Sequence, residues 1–132
     1  MIQIYTTPSC ASCRKAKKWF DQYKIPYSEK NIFSIKLSKE DIFRMLANSE
    51  NGFDDIISTR SKVFKEKKLD PDNMSVQELI EFIIDYPSVL KRPIIINENE
   101  LQVGYNNEDI TIFLPKELRN LDSFSDFDAE PI

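Results

Sequence analysis

The residues with the clearest capacity for chemistry are the two cysteines, Cys10 and Cys13, in the stretch YTTPSCASCRKAKKWF. The stretch opens a predicted helix, where unpaired backbone N–H groups carry a partial positive charge that stabilises a thiolate. Arg14 and the lysines that follow it add positive potential. One helical turn separates the two sulfurs, so they can bond with little backbone movement. We predict a redox pair in which Cys10, its pKa lowered, is the exposed attacking thiol and Cys13 resolves the disulfide.

Other uses of a cysteine pair fit the composition less well. A structural zinc site normally takes four Cys or His ligands, and the chain has two cysteines and no histidine. The lack of histidine also excludes a Cys–His nucleophile within one chain. Two buried, unreactive cysteines remain an alternative, because Cys packs well in a core. The sequence indicates neither a metal nor another cofactor.

The composition is that of one compact domain of 132 residues, with 41% hydrophobic and 30% charged residues. The N-terminus lacks a basic region followed by a long apolar run, so we expect no signal peptide, no membrane span and a cytoplasmic location. There, a cysteine pair is more often catalytic or sensing than structural. The net charge of −4 argues against stand-alone binding to nucleic acid. The charge is uneven: residues 14–18 and 60–68 are basic, and residues 122–130 are acidic.

Two regular patterns flank the cysteines. Residues 2–6 alternate apolar and polar side chains and predict a strand, and residues 27–31 predict another. Between them a helical period places one face inward; its apolar members are Ala16, Trp19, Phe20 and Tyr23. Strand, helix and strand within about thirty residues are the minimum for a right-handed parallel crossover.

Residues from about 35 to 87 predict a block of helices. Ser38 and Ser75 each begin a capping-box pattern. The helix after Ser38 contains Ile42, Phe43, Met45 and Leu46, and FDDIIS and TRSKVFKEKKL predict short helices. Pro87 ends the last helix of the block.

Strands return after the helical block. RPIIIN, residues 92–97, is a continuous apolar run typical of a central strand, and LQVGY is its antiparallel partner. A final helix with Ile110 and Phe113 inward ends at Pro115. The predicted fold class is α/β: a thioredoxin-like fold with a four-stranded mixed sheet and a helical insertion between strands 2 and 3. Its core covers about 1–34 and 88–116 in a single domain, and residues 117–132 form an acidic, flexible tail.

Pro93 stands where thioredoxin-like folds carry a cis proline that faces the cysteine pair. We therefore predict a cis bond between Arg92 and Pro93, although few X–Pro bonds are cis. This arrangement would bring Arg92 near Cys10. The alternative for Arg92 is a surface ion pair.

Several motifs together resemble the Spx group of the arsenate reductase (ArsC) family. They are YTTPSCASCRKAKKWF, NIF, IISTRSKVFK, RPIIINENELQVGYNNEDI and FLP, in register over residues 1 to about 116. The resemblance implies a non-enzymatic, redox-sensitive transcriptional regulator that binds the C-terminal domain of the RNA polymerase α subunit. Such regulators promote thiol-stress genes and block some activators, and they reach promoter DNA only within the polymerase complex.

The same resemblance implies roles for individual residues. Cys10 and Cys13 form the disulfide switch, and Arg92 responds to its redox state. Gly52 and Arg60 belong to the surface that binds the α subunit, and Lys62 resembles a position linked to promoter contact. From sequence alone, Gly52 is equally well explained as a helix C-cap after NSEN.

An enzymatic alternative comes from the arsenate reductases of the same family, which hold an oxyanion with arginines beside one catalytic cysteine. Cys10, Arg60 and Arg92 match three of those positions, but the place of a third arginine holds Tyr105. Each missing charge-assisted bond costs roughly 1.5–3 kcal/mol. A glutaredoxin-like thiol oxidoreductase is the better enzymatic alternative.

The C-terminus departs from this group. The resemblance implies degradation by the ClpXP protease with its adaptor, which reads an end of small apolar residues, whereas this chain ends in DAEPI. We expect a monomer.

Overall fold

The computed structural model describes residues 1–115, and the expected flexible tail at 117–132 lies outside them. This part of the chain contains four strands and five α-helices. In chain order they are β1 (Ile2–Thr6), α1 (Ala11–Gln22), β2 (Tyr27–Asn31), α2 (Lys39–Ala47), α3 (Phe53–Ile56), α4 (Lys62–Glu66), α5 (Val76–Asp85), β3 (Ile94–Ile96) and β4 (Leu101–Val103). Short 3₁₀ helices occupy Pro71–Asn73, Pro87–Val89 and Asp109–Phe113.

The strands form one mixed sheet in the order β2-β1-β3-β4. β1 pairs with β2 in parallel, β3 runs antiparallel to β1, and β4 runs antiparallel to β3. Ile4 lies opposite Ile95 in the β1–β3 register. This topology, with α2 to α5 between β2 and β3, confirms the predicted α/β fold class.

The sheet has an apolar core on each face, because side chains alternate along β1 and β3. Ile4 and Ile95 pack with α1 and the last 3₁₀ helix on one face. Tyr5, Ile94 and Ile96 pack with the inserted helices on the other face. The continuous apolar run of β3 is therefore explained by burial on both sides.

Helix α1 holds the cysteines against the sheet by its apolar face. Cys13, Ala16, Trp19 and Phe20 are buried there, and burying a side chain the size of Phe20 contributes about 1.5–3 kcal/mol. On its exposed side, Lys17 pairs with Glu29 of β2 at 3.0 Å. The orientation of this helix is thus set mainly by packing.

Both predicted capping boxes are present. Ser38 with Asp41 begins α2, and Ser75 with Glu78 begins α5, each through reciprocal side-chain and backbone hydrogen bonds. Among the apolar residues of α2, Ile42 and Met45 are buried, whereas the side chain of Phe43 is exposed.

The final helix, Asp109–Phe113, is a 3₁₀ helix that buries Ile110 and Phe113 and ends before Pro115. The described chain thus ends against the core that contains α1. No helix among residues 1–115 is long and apolar enough to cross a membrane.

Candidate functional site

Cys10 is the N-cap of α1 and lies just beyond the end of β1. Its carbonyl oxygen accepts a hydrogen bond from the Arg14 backbone N–H at 3.2 Å. Its Sγ accepts one from the Cys13 N–H at 3.1 Å. The sulfur therefore satisfies one of the unpaired N–H groups of the first turn, as capping oxygens do in other helices.

Cys10 and Cys13 are joined by a disulfide, with their Cα atoms 5.2 Å apart. Cys13 is buried in the sheet-facing side of α1, whereas Cys10 is partly exposed. The difference in access supports the assignment of Cys10 as the thiol that meets external oxidants and reductants.

The peptide bond between Arg92 and Pro93 is cis, as expected from the sequence. Pro93 is buried, and its carbonyl oxygen accepts a hydrogen bond from the Gly104 N–H at 2.7 Å. This bond ties the start of β3 to the end of β4 and fixes the place of Arg92 immediately before it.

Arg92 is half-buried, and its guanidinium makes few polar contacts. Its guanidinium donates a long hydrogen bond of 3.4 Å to the Ser88 carbonyl oxygen and lies 5.9 Å from the centre of the Phe33 ring. Burial lowers the pKa of Arg92 from its ordinary value. No carboxylate among residues 1–115 forms an ion pair with it, so the surface ion pair considered for Arg92 does not form there.

A groove of about 610 Å³ brings Cys10, Arg60 and Arg92 together. The other described residues that line it are Thr7, Ser9, Ser58, Ser61, Ser88, Leu90, Lys91, Val103 and Gly104. These lining residues include three cations, several hydroxyl groups and no carboxylate. The groove thus presents Cys10 in an electropositive setting that favours a thiolate in the reduced protein.

The loop that carries Arg60 is held against the segment that leads to Arg92. Ile57 forms an antiparallel bridge with Leu90, and the Ser58 N–H donates to the Val89 carbonyl oxygen at 2.8 Å. Arg60 lies in the turn before α4, which begins at Lys62 with Ser61 as its N-cap. The sequence-based description of one helix carrying both Arg60 and Lys62 was therefore wrong.

Lys62 lies outside the groove. Its side chain is 86% exposed, and its only ion pair in the described chain is a distant one with Glu66, 4.0 Å away. It is therefore available to a partner from solvent, but it does not contact the cysteine pair.

Gly52 lies in the loop between α2 and α3 and is the N-cap of α3, not a C-cap of α2. Its φ of +64° and ψ of −131° belong to a region that residues with a Cβ rarely adopt. Helix α2 ends earlier, with Asn48 as its C-cap. The Asp55 carboxylate orders the loop by accepting the Glu50 and Asn51 N–H groups at 2.9 and 2.8 Å.

Lys91 was not predicted from the sequence as a site residue. It connects the groove of Cys10 with the loop that contains Gly52. It lines the groove of Cys10, and its Nζ donates to the Asp54 carbonyl oxygen, two residues after Gly52, at 3.3 Å. It also lines a neighbouring cleft with Glu50 and Asp55. The sequence feature that could have identified Lys91 is its position directly before Arg92 and Pro93.

No arginine occupies the position at which arsenate reductases of this family would carry a third oxyanion-binding arginine, because this chain has Tyr105 there. Val103 and Gly104 reach the groove, whereas Tyr105 lines a separate cavity beside Trp19. The geometry suits reversible disulfide formation next to cationic side chains better than oxyanion binding by three arginines.

A comparison with family models matches residues 5–113 to the ArsC family. The chain is 50% identical over 119 residues to the global transcriptional regulator Spx 1 of Bacillus cereus, covering 90% of this chain and 91% of the relative. It is 48% identical over 120 residues to Spx of Bacillus subtilis, covering 91% and 92%. It is 43% identical over 128 residues to Spx 1 of Lactococcus lactis, covering 97% and 100%.

Solved structures share the same architecture. An ArsC family-related protein from Bacteroides fragilis superimposes with a TM-score of 0.72 at 26% identity, covering 82% of this chain and 92% of that one. An arsenate reductase from Vibrio cholerae superimposes with a TM-score of 0.73 at 20% identity, covering 86% and 97%, and this likeness concerns the fold alone.

Proposed function

The chain belongs to the ArsC family and, within it, to the Spx global transcriptional regulators, and from this membership we propose that it redirects RNA polymerase in response to thiol oxidation. In this proposal it binds the C-terminal domain of the polymerase α subunit, activates thiol-stress genes and blocks some activator contacts. It acts as a regulator and catalyses no reaction.

The observation that carries the proposal is the Cys10–Cys13 disulfide at the edge of a groove that also contains Arg92. Forming the bond from the Cys10 thiolate and the Cys13 thiol releases two electrons and one proton, and an oxidant such as a peroxide or a disulfide accepts the electrons. In the reduced state, the Cys10 thiolate attracts the poorly paired guanidinium of Arg92. Oxidation removes that negative charge and releases Arg92 to another position.

The loop contacts of the groove support a route from the switch to the partner surface. Arg92 follows directly on the segment 89–91 that holds the Arg60 loop, and Lys91 contacts the Gly52 loop. A movement of Arg92 therefore biases both loops. A coupling of about 1–3 kcal/mol is sufficient for regulation.

We assign Gly52 and Arg60 to the surface that binds the α subunit and Lys62 to promoter contact inside the assembled complex. The Cβ that a substitution adds at Gly52 meets no heavy atom within 4 Å, so a partner can approach the backbone there. Lys62, highly exposed, is suited to a phosphate contact.

The proposal is tested by titrating the full chain, reduced and oxidised, against the isolated α C-terminal domain. We expect binding in at least one state and a loss of affinity of at least about tenfold in Gly52→Arg, which corresponds to about 1.4 kcal/mol. If the reduced and oxidised proteins differ in affinity, the cysteines control binding itself. If their affinities are equal, we assign the cysteines to a later step, the contact with the promoter. No binding in either state contradicts the proposal.

Gly52→Ala is the matched control for Gly52→Arg. Both variants impose the same backbone strain, because both place a Cβ on a residue with positive φ. Only the arginine side chain reaches into the space that a partner would occupy. Equal losses in both variants attribute the effect to strain and remove Gly52 from the interface.

A thiol oxidoreductase is the second candidate, because Cys10, Arg60 and Arg92 share one groove. Turnover of a small disulfide substrate with glutathione or thioredoxin as reductant tests it. Turnover abolished by Cys10→Ala would establish the enzyme, whereas a single stoichiometric reduction without turnover favours the switch.

The remaining assignments follow from membership of the group. We place the protein in the cytoplasm as a monomer that meets promoter DNA only with polymerase, and we assign its removal to ClpXP and an adaptor. The acidic end of the chain lies outside the described residues, so the degradation signal rests on the resemblance alone.

A further inference from the structure

A second cavity, of about 370 Å³, lies beside α1 and shares no described lining residue with the groove of Cys10. The described residues that line it are Lys15, Lys18, Trp19, Gln22, Tyr23, Tyr105 and Asn107. Two are cations and none is a carboxylate. Neither Lys15 nor Lys18 forms an ion pair with any other residue between 1 and 115.

Aromatic rings form the wall of this cavity. The rings of Trp19 and Tyr23 lie 4.8 Å apart, and Tyr105 packs against the same cluster. Burial raises the pKa of Tyr105, so its hydroxyl stays neutral there. The cavity thus combines an apolar aromatic wall with a cationic rim, which suits a ligand carrying both aromatic rings and carboxylates.

The described chain ends in the apolar cluster whose aromatic members form the wall of this cavity. Phe113 and Leu114 are buried in the cluster that includes Trp19, and the Phe113 ring lies 5.8 Å from that of Phe20. The seven residues 116–122 can span at most about 25 Å when extended. Residues 116–122 thus provide a connection of up to this length between the cluster that contains Trp19 and the acidic stretch.

Those residues have matching chemistry. The stretch DSFSDFDAE, residues 122–130, alternates two phenylalanines with carboxylates and contains no basic residue. Its phenylalanines are Phe124 and Phe127, and its carboxylates are Asp122, Asp126, Asp128 and Glu130.

We propose that residues 122–130 of this chain dock in the cavity, with Phe124 and Phe127 against the aromatic wall and the carboxylates beside Lys15 and Lys18. Attachment through a short connection gives the segment an effective concentration of the order of millimolar at the cavity. Its own tail therefore has the advantage over a second copy or a free acidic peptide. This inference does not depend on the redox proposal.

Zero-length carbodiimide cross-linking of the full-length protein tests the docking, because it joins lysine amines to carboxylates in direct contact. Trypsin cleaves after Arg119, so residues 120–132 carry all four carboxylates of the segment in one peptide. At low salt we expect this peptide to be joined to Lys15 or Lys18 at least about fivefold more often than to the exposed Lys36 or Lys65. An even distribution over these lysines overturns the proposal.

Two variants and one mixing experiment complete the test. Phe124→Ala with Phe127→Ala should lower the yield of these cross-links severalfold, whereas Phe43→Ala, which removes an exposed ring from α2, should not change it. Equal yields in the three proteins contradict the aromatic anchoring. In a mixture of ¹⁵N-labelled and unlabelled protein, the joined peptides should be of one isotope; mixed pairs mean that a second copy occupies the cavity and overturn the intramolecular proposal.

Discussion

Arg92 has an unusual position for an arginine, because it is half-buried and has no carboxylate partner among residues 1–115. Its contacts in the described chain are one long hydrogen bond to a carbonyl oxygen and the face of the Phe33 ring. Few contacts hold the guanidinium in place, and its desolvation favours any arrangement that supplies a negative charge. A Cys10 thiolate in the same groove is such a charge, so the two residues form the smallest unit of the proposed switch.

At this scale we predict that Arg92→Gln slows the alkylation of Cys10 by iodoacetamide in the reduced protein. The lost positive charge disfavours the thiolate, which is the reacting species, and we expect a rate lower by about threefold at pH 7. Mass spectrometry of the Cys10 peptide over time measures it. Arg44→Gln, which removes an arginine that does not line the groove, should retain the parent rate, and equal slowing in both variants contradicts a specific effect.

Among the elements, β1 and α2 are joined by a polar cluster beneath the inserted helices. Asp41, buried, accepts hydrogen bonds from the Tyr5 hydroxyl at 2.7 Å and from the Ser38 N–H at 2.8 Å, and pairs with Lys30 at 3.3 Å. Burial by itself raises the pKa of Asp41, but these hydrogen bonds and the Lys30 charge outweigh it and lower the pKa to about 2. Burial raises the pKa of Tyr5, and the hydrogen bond to Asp41 and the negative charge of Asp41 raise it further.

The lowered pKa of Asp41 predicts how stability depends on pH. Because the folded protein binds this proton less readily than the unfolded chain, the stabilisation is present above about pH 4 and is lost as the pH falls toward 2. It amounts to about 2 kcal/mol in the free energy of unfolding. Urea titrations at pH 7, 4 and 2.5 should show this loss in the parent, superimposed on that of the other carboxylates, and a flatter profile in Asp41→Asn.

Asp54→Asn serves as the control for Asp41→Asn, because the exposed Asp54 side chain forms no hydrogen bond or ion pair with any of residues 1–115. It should follow the parent profile at all three pH values. Parallel profiles for Asp41→Asn and the parent would show that the cluster contributes no pH-dependent stability.

Across the whole molecule, positive and negative charges are concentrated in different stretches of the sequence. Residues 14–18 contain four of the chain's cations, and residues 122–130 contain four carboxylates without a counter-charge. If the stretch docks beside Lys15 and Lys18, it screens this basic face from polyanions. The chain then resists non-specific nucleic acid binding while it remains free of polymerase.

Neutralising the stretch by Asp122→Asn, Asp126→Asn, Asp128→Asn and Glu130→Gln should therefore raise the salt concentration at which the protein elutes from heparin. A charge-matched control carries Asp72→Asn, Glu81→Gln, Asp85→Asn and Glu98→Gln, all on exposed residues. We expect a larger shift for the tail variant than for the control. Equal shifts would mean that only the net charge matters.

The sequence by itself determined the local features of this protein. The C-x-x-C pair at the start of a helix, the two capping boxes and the apolar run of β3 depend on residues within about four positions of one another. Helix period and cap chemistry encode them directly. Even there, the local signal was incomplete, because it did not distinguish an N-cap from a C-cap at Gly52.

Only the tertiary structure decided what surrounds Cys10. Motif resemblance associated Arg60 and Arg92 with the cysteine, but their shared groove arises from the antiparallel pairing of β1 with β3 and from the hydrogen bonds between residues 56–58 and 89–91. The tertiary structure also places Lys91 in the groove and Tyr105 in the separate cavity beside Trp19. Such proximity depends on strand register and loop closure over 30 to 80 residues, and no local pattern of side chains encodes these distances.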